Sequence, residues 1–360
     1  MKSYKLNEIE YKRILGRNII SADRYETVNL YWGASCVEVC VKASEVWVNL
    51  SSDYDVFEIW ACVEVNGFQT ARFIVPKEKQ WICIARNLNP NVENLITIIK
   101  DTQPMPDDSK HLMSVNQIGL NEGGCFVPLK ERKYNIEFVG DSITSGEGLA
   151  GNSNEGDWIT QWFRAGKTYA VKTAHLLNAS WNVMSLCGWG ICWGWDGNKE
   201  HNLPSHYENI CSVLKAEESS NIFNNYNFPV QNDFVVINLG TNDNEAIKQK
   251  IYTDVAEYRP KIIESVCEFL KTIRKNNPYA KIIWCYGMLE INIVPSLIKC
   301  GIKKYKKLTD DKNVFILKLE SREKLEKADY EKGARGHPGE KTHIAAAKKL
   351  AGFIKTIDNL

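Results

Sequence analysis

Residues 136–148 have the sequence Ile-Glu-Phe-Val-Gly-Asp-Ser-Ile-Thr-Ser-Gly-Glu-Gly. A β-branched, apolar run ends abruptly at Gly140-Asp141-Ser142, and further glycines follow within one turn. A serine between a strand and a helix lies at the edge where parallel α/β sheets hold their sites, and a helix N-terminus favours developing negative charge. Ser and Asp are also preferred helix N-caps, so this stretch alone fits a nucleophile and a cap equally well.

Length and composition limit the possible classes of protein. The chain has 360 residues, 44% hydrophobic and 25% charged, which predicts a globular protein of two domains. Lys and Arg total 45 against 44 for Asp and Glu, so we expect neither a nucleic acid nor a membrane as partner. The sequence gives no basis for an oligomeric state.

The cysteines and the first residues bear on the compartment. Eleven cysteines without CxxC pairs are typical neither of a disulfide framework nor of a metal site, and no metal is predicted. The first ten residues are charged where a signal peptide needs an apolar core, and no apolar run has the length of a membrane span. These features predict a cytoplasmic protein.

Residues 1–130 are predicted to form an all-β sandwich. Short β-branched and aromatic segments alternate with turn residues, and Asn66-Gly67 is the strongest signal for a two-residue hairpin. The predicted strands are 31–32, 37–41, 46–50, 56–65, 68–75, 81–85 and 95–100. Four tryptophans on these segments suit either a sugar-binding face or a core: Trp32, Trp47, Trp60 and Trp81.

Residues 131–360 are predicted to form an α/β domain. Loops at 102–109 and at Gly123-Gly124 precede the boundary, after which strand-like runs alternate with helical ones, as in a parallel sheet covered by helices. The predicted strands are 136–139, 181–186, 234–239, 282–286 and 314–317. The clearest helical stripes cover 262–273 and 344–354.

A serine nucleophile needs a base, and His337 is the candidate among six histidines. It lies in a glycine-rich loop between the last strand and the last helix, which predicts a position at the same sheet edge as Ser142. Pro338 is expected at the first position of that helix. The other histidines occur in polar, helical or irregular sequence, where surface or core roles are expected.

An acyl-transfer transition state also needs donors aimed at its oxyanion. Asn242 follows the strand run 234–239, and Gly188 follows the strand run 181–186 without a side chain to cover its amide. Each segment would also make an ordinary turn, and the Asx-rich Gly240-Thr241-Asn242-Asp243 in particular has that alternative.

Four blocks in this order resemble the signature of the SGNH, or GDSL, hydrolase superfamily. The blocks are Gly140-Asp141-Ser142, Gly188, Gly240-Thr241-Asn242-Asp243 and His337-Pro338. The resemblance covers about residues 134–360. It implies Ser142 as nucleophile, His337 as base, and an oxyanion hole made by the amides of Ser142 and Gly188 and the side chain of Asn242.

The whole chain is similar to carbohydrate esterase family 2. The stretches that carry this similarity are Ile14-Leu15-Gly16-Arg17, Tyr31-Trp32-Gly33-Ala34-Ser35 and the 136–144 run. The resemblance implies a jelly-roll domain before an SGNH hydrolase domain. It further implies removal of acetyl groups, often from 6-hydroxyls, of plant oligosaccharides or polysaccharides of the mannan, xylan or glucan type. No cofactor is implied.

One position departs from the superfamily pattern. Ala334 stands three residues before His337, where an Asp usually orients the imidazole. Some members of the resembled family work with a Ser-His dyad whose ring is held by a backbone carbonyl, and we expect that arrangement here. Asp329, Glu331 or Glu340 could substitute from nearby sequence, and an inactive protein is the remaining alternative.

Aromatic residues near the candidate site suggest the substrate. Trp189 and Trp193 are predicted to stack on a pyranose ring, with a place in the core as the alternative for each, and Asp243 is predicted to bond to the sugar hydroxyls. These would favour an acetylated oligosaccharide over a lipid. The open rivals are a lipase or thioesterase for longer acyl chains and a glycan-binding protein without turnover.

Overall fold

The computed structural model describes residues 1–18, 26–214 and 225–358. The chain forms two units: Met1–Glu131 with Ile159–Gln161 and Asn209–Tyr226, and Arg132–Trp158 with Trp162–Glu208 and Asn227–Leu360. The first division lies one residue after the predicted boundary, and two short segments of the predicted second domain belong to the first unit. Within the described ranges, no helix is both long and apolar enough to span a membrane.

The first unit consists of antiparallel strands in two sheets. The strands are β1 (Lys2–Lys5), β2 (Lys12–Leu15), β3 (Val28–Leu30), β4 (Cys36–Lys42), β5 (Glu45–Asp53), β6 (Trp60–Val65), β7 (Phe68–Ile74), β8 (Gln80–Arg86), β9 (Asn94–Lys100), β10 (Leu112–Leu120) and β11 (Cys125–Val127). One sheet has the order β1-β10-β5-β8, with β3 also paired to β10, and the other β11-β4-β9-β6-β7, with β2 paired to β4. Alternate side chains of both sheets fill one buried core, as a sandwich requires.

The hairpin prediction is confirmed, and two strand predictions need correction. Asn66 and Gly67 join β6 to β7 with φ of 55° and 82°, the positive values that a type I′ turn needs. Residues 31–32 are not a strand, because β3 ends at Leu30, and 56–59 precede β6 as a loop. Strands β1, β2, β3, β10 and β11 overlap none of the predicted strands.

The four tryptophans of this unit do not share one face. Trp32 is buried, and its indole N–H donates to the carbonyl of Ile210. Trp47 and Trp81 are half-buried on the same face of the β5-β8 sheet, where Trp81 pairs with Asn49. Trp60 belongs to the other sheet, under the guanidinium of Arg72. A single sugar-binding face made of all four is therefore excluded.

The second unit contains the predicted parallel α/β arrangement. Its strands are β12 (Tyr134–Gly140), β13 (Ala179–Ser185), β14 (Phe234–Asn238), β15 (Lys281–Tyr286) and β16 (Val314–Lys318). Its helices are α1 (Ser142–Ser145), α2 (Tyr169–Leu177), α3 (Thr241–Lys248), α4 (Val255–Asn276), α5 (Val294–Thr309), α6 (Arg322–Leu325) and α7 (Glu340–Asp358). Helix α2 packs against α7 and α4 against α5. The predicted fold class is confirmed.

Strand order brings the candidate segments to one edge. The parallel sheet has the order β13-β12-β14-β15-β16, so β12 lies between the strands that precede Gly188 and Asn242. Gly140, at the end of β12, pairs with Ser185 of β13 and Asn238 of β14. Since all three strands are parallel and end together, the segments that follow them start side by side. Helix α7 begins at Glu340, so Pro338 precedes the helix and is not its first residue.

Candidate active site

The turn after β12 uses Asp141 as its cap and leaves Ser142 free for another role. The Asp141 carboxylate accepts a hydrogen bond from the amide of Ile143 at 3.0 Å, and Ser142 is the first residue of α1. Gly140 allows this sharp turn, because a Cβ atom there would lie 2.0 Å from Oγ1 of Thr144. The cap and the candidate nucleophile are therefore two different residues of the same motif.

Ser142 and His337 are brought together. The Nε2 atom of His337 lies 2.9 Å from the Oγ atom of Ser142, within hydrogen-bond reach for proton transfer. The histidine loop is attached to the loop after α1, since the amide of Ala334 donates to the carbonyl of Gly148 at 2.9 Å. Gly148 has φ of 75°, and a Cβ atom there would lie 2.4 Å from the Ala334 carbonyl oxygen. Only glycine fits this crossing.

The groups expected to orient the imidazole are engaged elsewhere. Asp329 pairs with Lys332, Glu331 with Lys341, and Glu340 with Lys172. The Nδ1 atom of His337 is buried and has no hydrogen-bond partner within the described part of the chain, so the expected backbone carbonyl contact is also absent. Both expectations are corrected: neither a nearby acid of the same loop nor a carbonyl holds this ring.

Glu147 lies beside the imidazole and was missed by the sequence reasoning. Its Oε2 atom is 3.6 Å from Nε2 of His337, and its side chain is only 6% exposed. The other oxygen, Oε1, accepts a 3.1 Å hydrogen bond from Nε of Arg335. The sequence signal that could have identified it is its position, because Glu147 lies between Gly146 and Gly148 directly after the nucleophile motif.

Three candidate donors remain for an oxyanion. In the ranges 1–18, 26–214 and 225–358, the amides of Ser142 and Gly188 donate to no protein group. Asn242 uses one N–H of its side-chain amide to donate to the Trp189 carbonyl at 2.7 Å. Its second N–H is thus left for a ligand, and the first bond fixes the orientation of the amide group. All three donors follow neighbouring strand ends.

Asp243 is a structural residue, which corrects its predicted role as a sugar contact. It is fully buried, and its two oxygens accept hydrogen bonds from the amides of Ile191 at 2.7 Å and Cys192 at 2.8 Å. Gly190 leaves room for it, because a Cβ atom there would lie 2.4 Å from the carboxylate. Burial raises the pKa of Asp243 to about 6, and the amide donors partly offset this effect. The carboxylate holds the loop after β13.

The predicted tryptophan contacts also need correction. Trp193 is buried and stacks on Tyr252 with ring centroids 4.0 Å apart. Trp189 is buried between His201, which stacks on it, and His206, which meets it edge-on. Neither indole face is open to a pyranose ring. Both residues support the loop from within.

Trp195 is the exposed aromatic residue beside the oxyanion glycine. It is 51% exposed, and its amide donates to the Gly188 carbonyl at 3.0 Å. Gly188 has φ of 78°, and a Cβ atom there would lie 2.9 Å from Cδ1 of the Trp195 indole. The indole thus lies directly against the backbone that presents the Gly188 amide, with part of its surface open to solvent.

Burial dominates the electrostatics around Ser142. It raises the pKa of Asp141 to about 7, and nearby Asp243 and Glu147 add to the rise. It also raises the pKa of the Cys187 thiol well above its usual range, with a further contribution from the charge of Glu147. Cys187 is therefore a neutral thiol here and not a competing nucleophile.

This geometry can perform acyl transfer. A hydroxyl 2.9 Å from an imidazole nitrogen is the arrangement of a base-activated serine, and unpaired donors lie on the two flanking strand ends. The same arrangement could serve any ester, because no residue named so far selects the acyl chain.

The chain resembles known proteins over nearly its whole length. It is 31% identical to an acetyl xylan esterase, Est2A, from the rumen bacterium Butyrivibrio proteoclasticus, with both chains fully covered and a TM-score of 0.91. A family two carbohydrate esterase from Clostridium thermocellum, solved in complex with cellohexaose, is 22% identical, with 97% of this chain and 99% of that one covered and a TM-score of 0.79. The chain belongs to carbohydrate esterase family 2.

Membership in carbohydrate esterase family 2 agrees with the two folds described above, a jelly-roll-like unit and an SGNH-type parallel-sheet unit. The chain is also 25% identical over 328 residues to the cellulase/esterase CelE of Acetivibrio thermocellus. That match covers 90% of this chain but spans only 37% of the length of CelE. No family model matches the sequence.

Proposed function

We propose that this family 2 chain is a carbohydrate O-acetylesterase that removes acetyl groups from xylan-type oligosaccharides or polysaccharides. The observation that carries the proposal is the 2.9 Å contact between Ser142 and His337 at the edge where Gly188 and Asn242 also lie. Family membership and the name of the Est2A relative favour acetylated xylan as the substrate. Ester hydrolysis needs no further group than these residues and water.

The reaction proceeds in two steps. His337 Nε2 takes the proton of the Ser142 hydroxyl while Oγ attacks the acetyl carbonyl carbon, and the oxyanion accepts hydrogen bonds from the amides of Ser142 and Gly188 and from the Asn242 side chain. The imidazolium then gives its proton to the sugar oxygen as the C–O bond breaks. Water attacks the acetyl-serine in the same way, with His337 again as base, and releases acetate.

An exposed aromatic residue beside the oxyanion donors suits a sugar substrate. Trp195 offers an indole that is 51% exposed next to Gly188, and a pyranose ring can stack on it. A polar cleft of about 730 Å³ also lies at the carboxyl ends of β15 and β16, but none of Ser142, Gly188, Asn242 and His337 lines it, so it is not the pocket of this site.

The test is acetate release by the purified protein from acetylated xylo-, manno- and gluco-oligosaccharides, with the deacetylated positions assigned by NMR. We expect activity that S142A and H337A each reduce by at least about 1,000-fold. S145A is the matched control, because Ser145 lies on the same turn but bonds to Ser185. Ordinary turnover by S142A would overturn the assignment.

Two outcomes would redirect the proposal. Strong preference for octanoate over acetate esters would make the protein a lipase or thioesterase of the same fold. Saturable oligosaccharide binding with no acetate released would make it a glycan-binding protein.

We also propose a cytoplasmic location. The eleven cysteines are free thiols, and most are buried, which suits a reducing compartment. Cell fractionation with an antibody to the chain tests this, and recovery in the culture medium would contradict it.

A further inference from the structure

A base that becomes charged during the reaction needs a stabilising partner. In the proposed mechanism, His337 becomes an imidazolium inside a pocket where its own side chain is only 15% exposed. The position that usually supplies an acid holds Ala334, and the Nδ1 atom has no partner in the described residues. Some other group must offset the new charge, since a buried unpaired cation is unfavourable.

We propose that Glu147 is the electrostatic and positioning partner of His337, an inference that rests on the proposed function and deepens it. Its carboxylate approaches the imidazole from the side of Nε2, with Oε2 at 3.6 Å. That nitrogen receives the proton of Ser142, so the negative charge lies next to the atom that becomes positive. Glu147 thus approaches the imidazole from the loop that follows Ser142, and not from the loop that carries His337.

The loop is built to hold this carboxylate in place. Gly146 and Gly148 flank Glu147 with φ of 78° and 75°, values that turn the chain back sharply on both sides. The Glu147 amide donates to the Ser142 carbonyl at 3.0 Å, which ties the acid to the turn of the nucleophile. The Gly148 carbonyl accepts the amide of Ala334 on the histidine loop. One short loop therefore fixes the serine, the acid and the histidine relative to one another.

Arg335 moderates the charge of Glu147. Its Nε atom donates to Oε1, so the acid has one oxygen for the guanidinium and one facing the imidazole. Arg335 is 37% exposed and also donates to the Gly156 carbonyl, which keeps it at the rim of the site. The imidazolium therefore faces an ion pair whose negative end points toward it.

The other ionisable groups around this pair do not replace Glu147. Cys187 is a neutral thiol, and Asp141 has a pKa raised to about 7 and caps α1. His343, on α7, is buried with its pKa lowered to about 3 and accepts the Tyr169 amide. Arg322 reaches only the backbone carbonyl of His337, at 3.5 Å. Glu147 is the acid placed against Nε2 among the described residues.

The decisive experiment compares E147Q with two substitutions of Arg335 in hydrolysis of p-nitrophenyl acetate across pH. E147Q keeps the shape and loses the charge, so we expect kcat to fall about 10- to 100-fold with KM little changed. The acid limb of the kcat/KM profile should move to lower pH, because protonated His337 loses its neighbouring negative charge. R335Q should move the same limb to higher pH, because Glu147 is then no longer offset, and R335K should stay near the parent.

Shifts of opposite sign separate this role from a merely structural ion pair. If Glu147 and Arg335 only held the loop, E147Q and R335Q would lower activity together and leave the acid limb unmoved, and that result would overturn the inference. Should E147Q fail to fold by circular dichroism, the shift of the acid limb in R335Q, measured against an unshifted R335K, decides alone. An active parent, an inactive S142A and an unshifted E147Q would retain the proposed function and reject only the role of Glu147.

Discussion

The Asp243 carboxylate accepts a 2.7 Å hydrogen bond from the Ile191 amide, 52 positions earlier in the chain. This bond joins the start of α3 to the loop after β13. Asn242 lies next to Asp243 at one end, and Gly188 lies in the loop at the other. The Cys192 amide donates to the same carboxylate and Asn242 donates to the carbonyl of Trp189, so three bonds cross between the same segments. The buried carboxylate of Asp243 thus fixes the positions of two oxyanion donors, Gly188 and Asn242, without contacting the substrate.

Asp243→Ala should therefore lower activity without touching the nucleophile. The amides of Ile191 and Cys192 would be left buried and unpaired, at a cost of about 1–3 kcal/mol each, and the loop would relax away from Asn242. We expect kcat for acetate release to fall about 100-fold or more, as for loss of an oxyanion donor, together with a lower Tm. Asp196→Ala is the matched control, because Asp196 belongs to the same loop but is exposed. Unchanged kcat in D243A would contradict the role assigned to this bond.

Trp195→Ala should weaken oligosaccharide use more than small-ester use. If the exposed indole stacks on the sugar, its loss should raise KM for acetylated xylo-oligosaccharides about 5- to 10-fold and leave p-nitrophenyl acetate nearly unchanged. Trp195→Phe should give an intermediate value. Trp193→Ala serves as contrast: this side chain is buried against Tyr252, so its removal should lower Tm and affect both substrates alike. Equal effects of W195A on both substrates would argue against stacking.

Local sequence was sufficient to predict the skeleton of the site. Apolar runs bounded by glycine predicted the ends of β12 and of its neighbours to within about two residues. Parallel strands that are buried on both faces consist of nearly continuous apolar residues, so this pattern identifies them. The shared sheet edge of Ser142 and His337 followed from their positions after strands of a parallel sheet, since loops after parallel strands lie at the same edge. Strand β10, in contrast, mixes Ser114, Asn116 and Gln117 with apolar residues, and its pairing with β5 depends on a partner far away in sequence.

Residue type alone did not predict which side chains are buried. Asp243 and Trp193 were predicted to contact sugar. In the structure, Asp243 accepts hydrogen bonds from loop amides, and Trp193 stacks on Tyr252, which follows α3. Trp195 lies two residues after Trp193 in the same loop, yet it is 51% exposed and Trp193 is buried. Glu147 was missed because the search for an orienting acid stayed next to His337 in sequence, while the acid comes from the loop of Ser142. The burial of these side chains and the position of Glu147 depend on packing between segments that are distant in sequence.

Gly148→Ala should separate the histidine from the serine. The new methyl group would lie 2.4 Å from the Ala334 carbonyl oxygen and 3.0 Å from Cβ of His337, at a residue with φ of 75°. The loop must shift, so we expect kcat to fall at least about 100-fold, since a displacement near 1 Å has that effect on aligned groups. Gly352→Ala is the control: nothing lies within 4 Å of its added methyl group, and alanine favours the helix by about 0.5–1 kcal/mol. Wild-type turnover in G148A would show that the loop tolerates the contact.

Asp141→Asn should change how stability depends on pH. Burial raises the pKa of Asp141 from 3.8 to about 7 in the folded protein, so the folded state keeps a proton that the unfolded state has lost between those values. Stability from this group is therefore present at low pH and declines as pH rises toward 7. Asn keeps an oxygen for the Ile143 amide and carries no charge, so the variant escapes the decline.

The quantity that checks this is the difference in unfolding free energy, variant minus parent, from urea denaturation at pH 4, 5.5 and 7.5. We expect the difference to grow with pH toward at most about 4 kcal/mol, the value of a three-unit pKa shift. His343, whose buried neutral ring favours the opposite slope, is present in both proteins and cancels. A difference that stays flat or shrinks as pH rises would mean that Asp141 is ionised in the folded protein across the whole range, stabilised by its position at the N-terminus of α1.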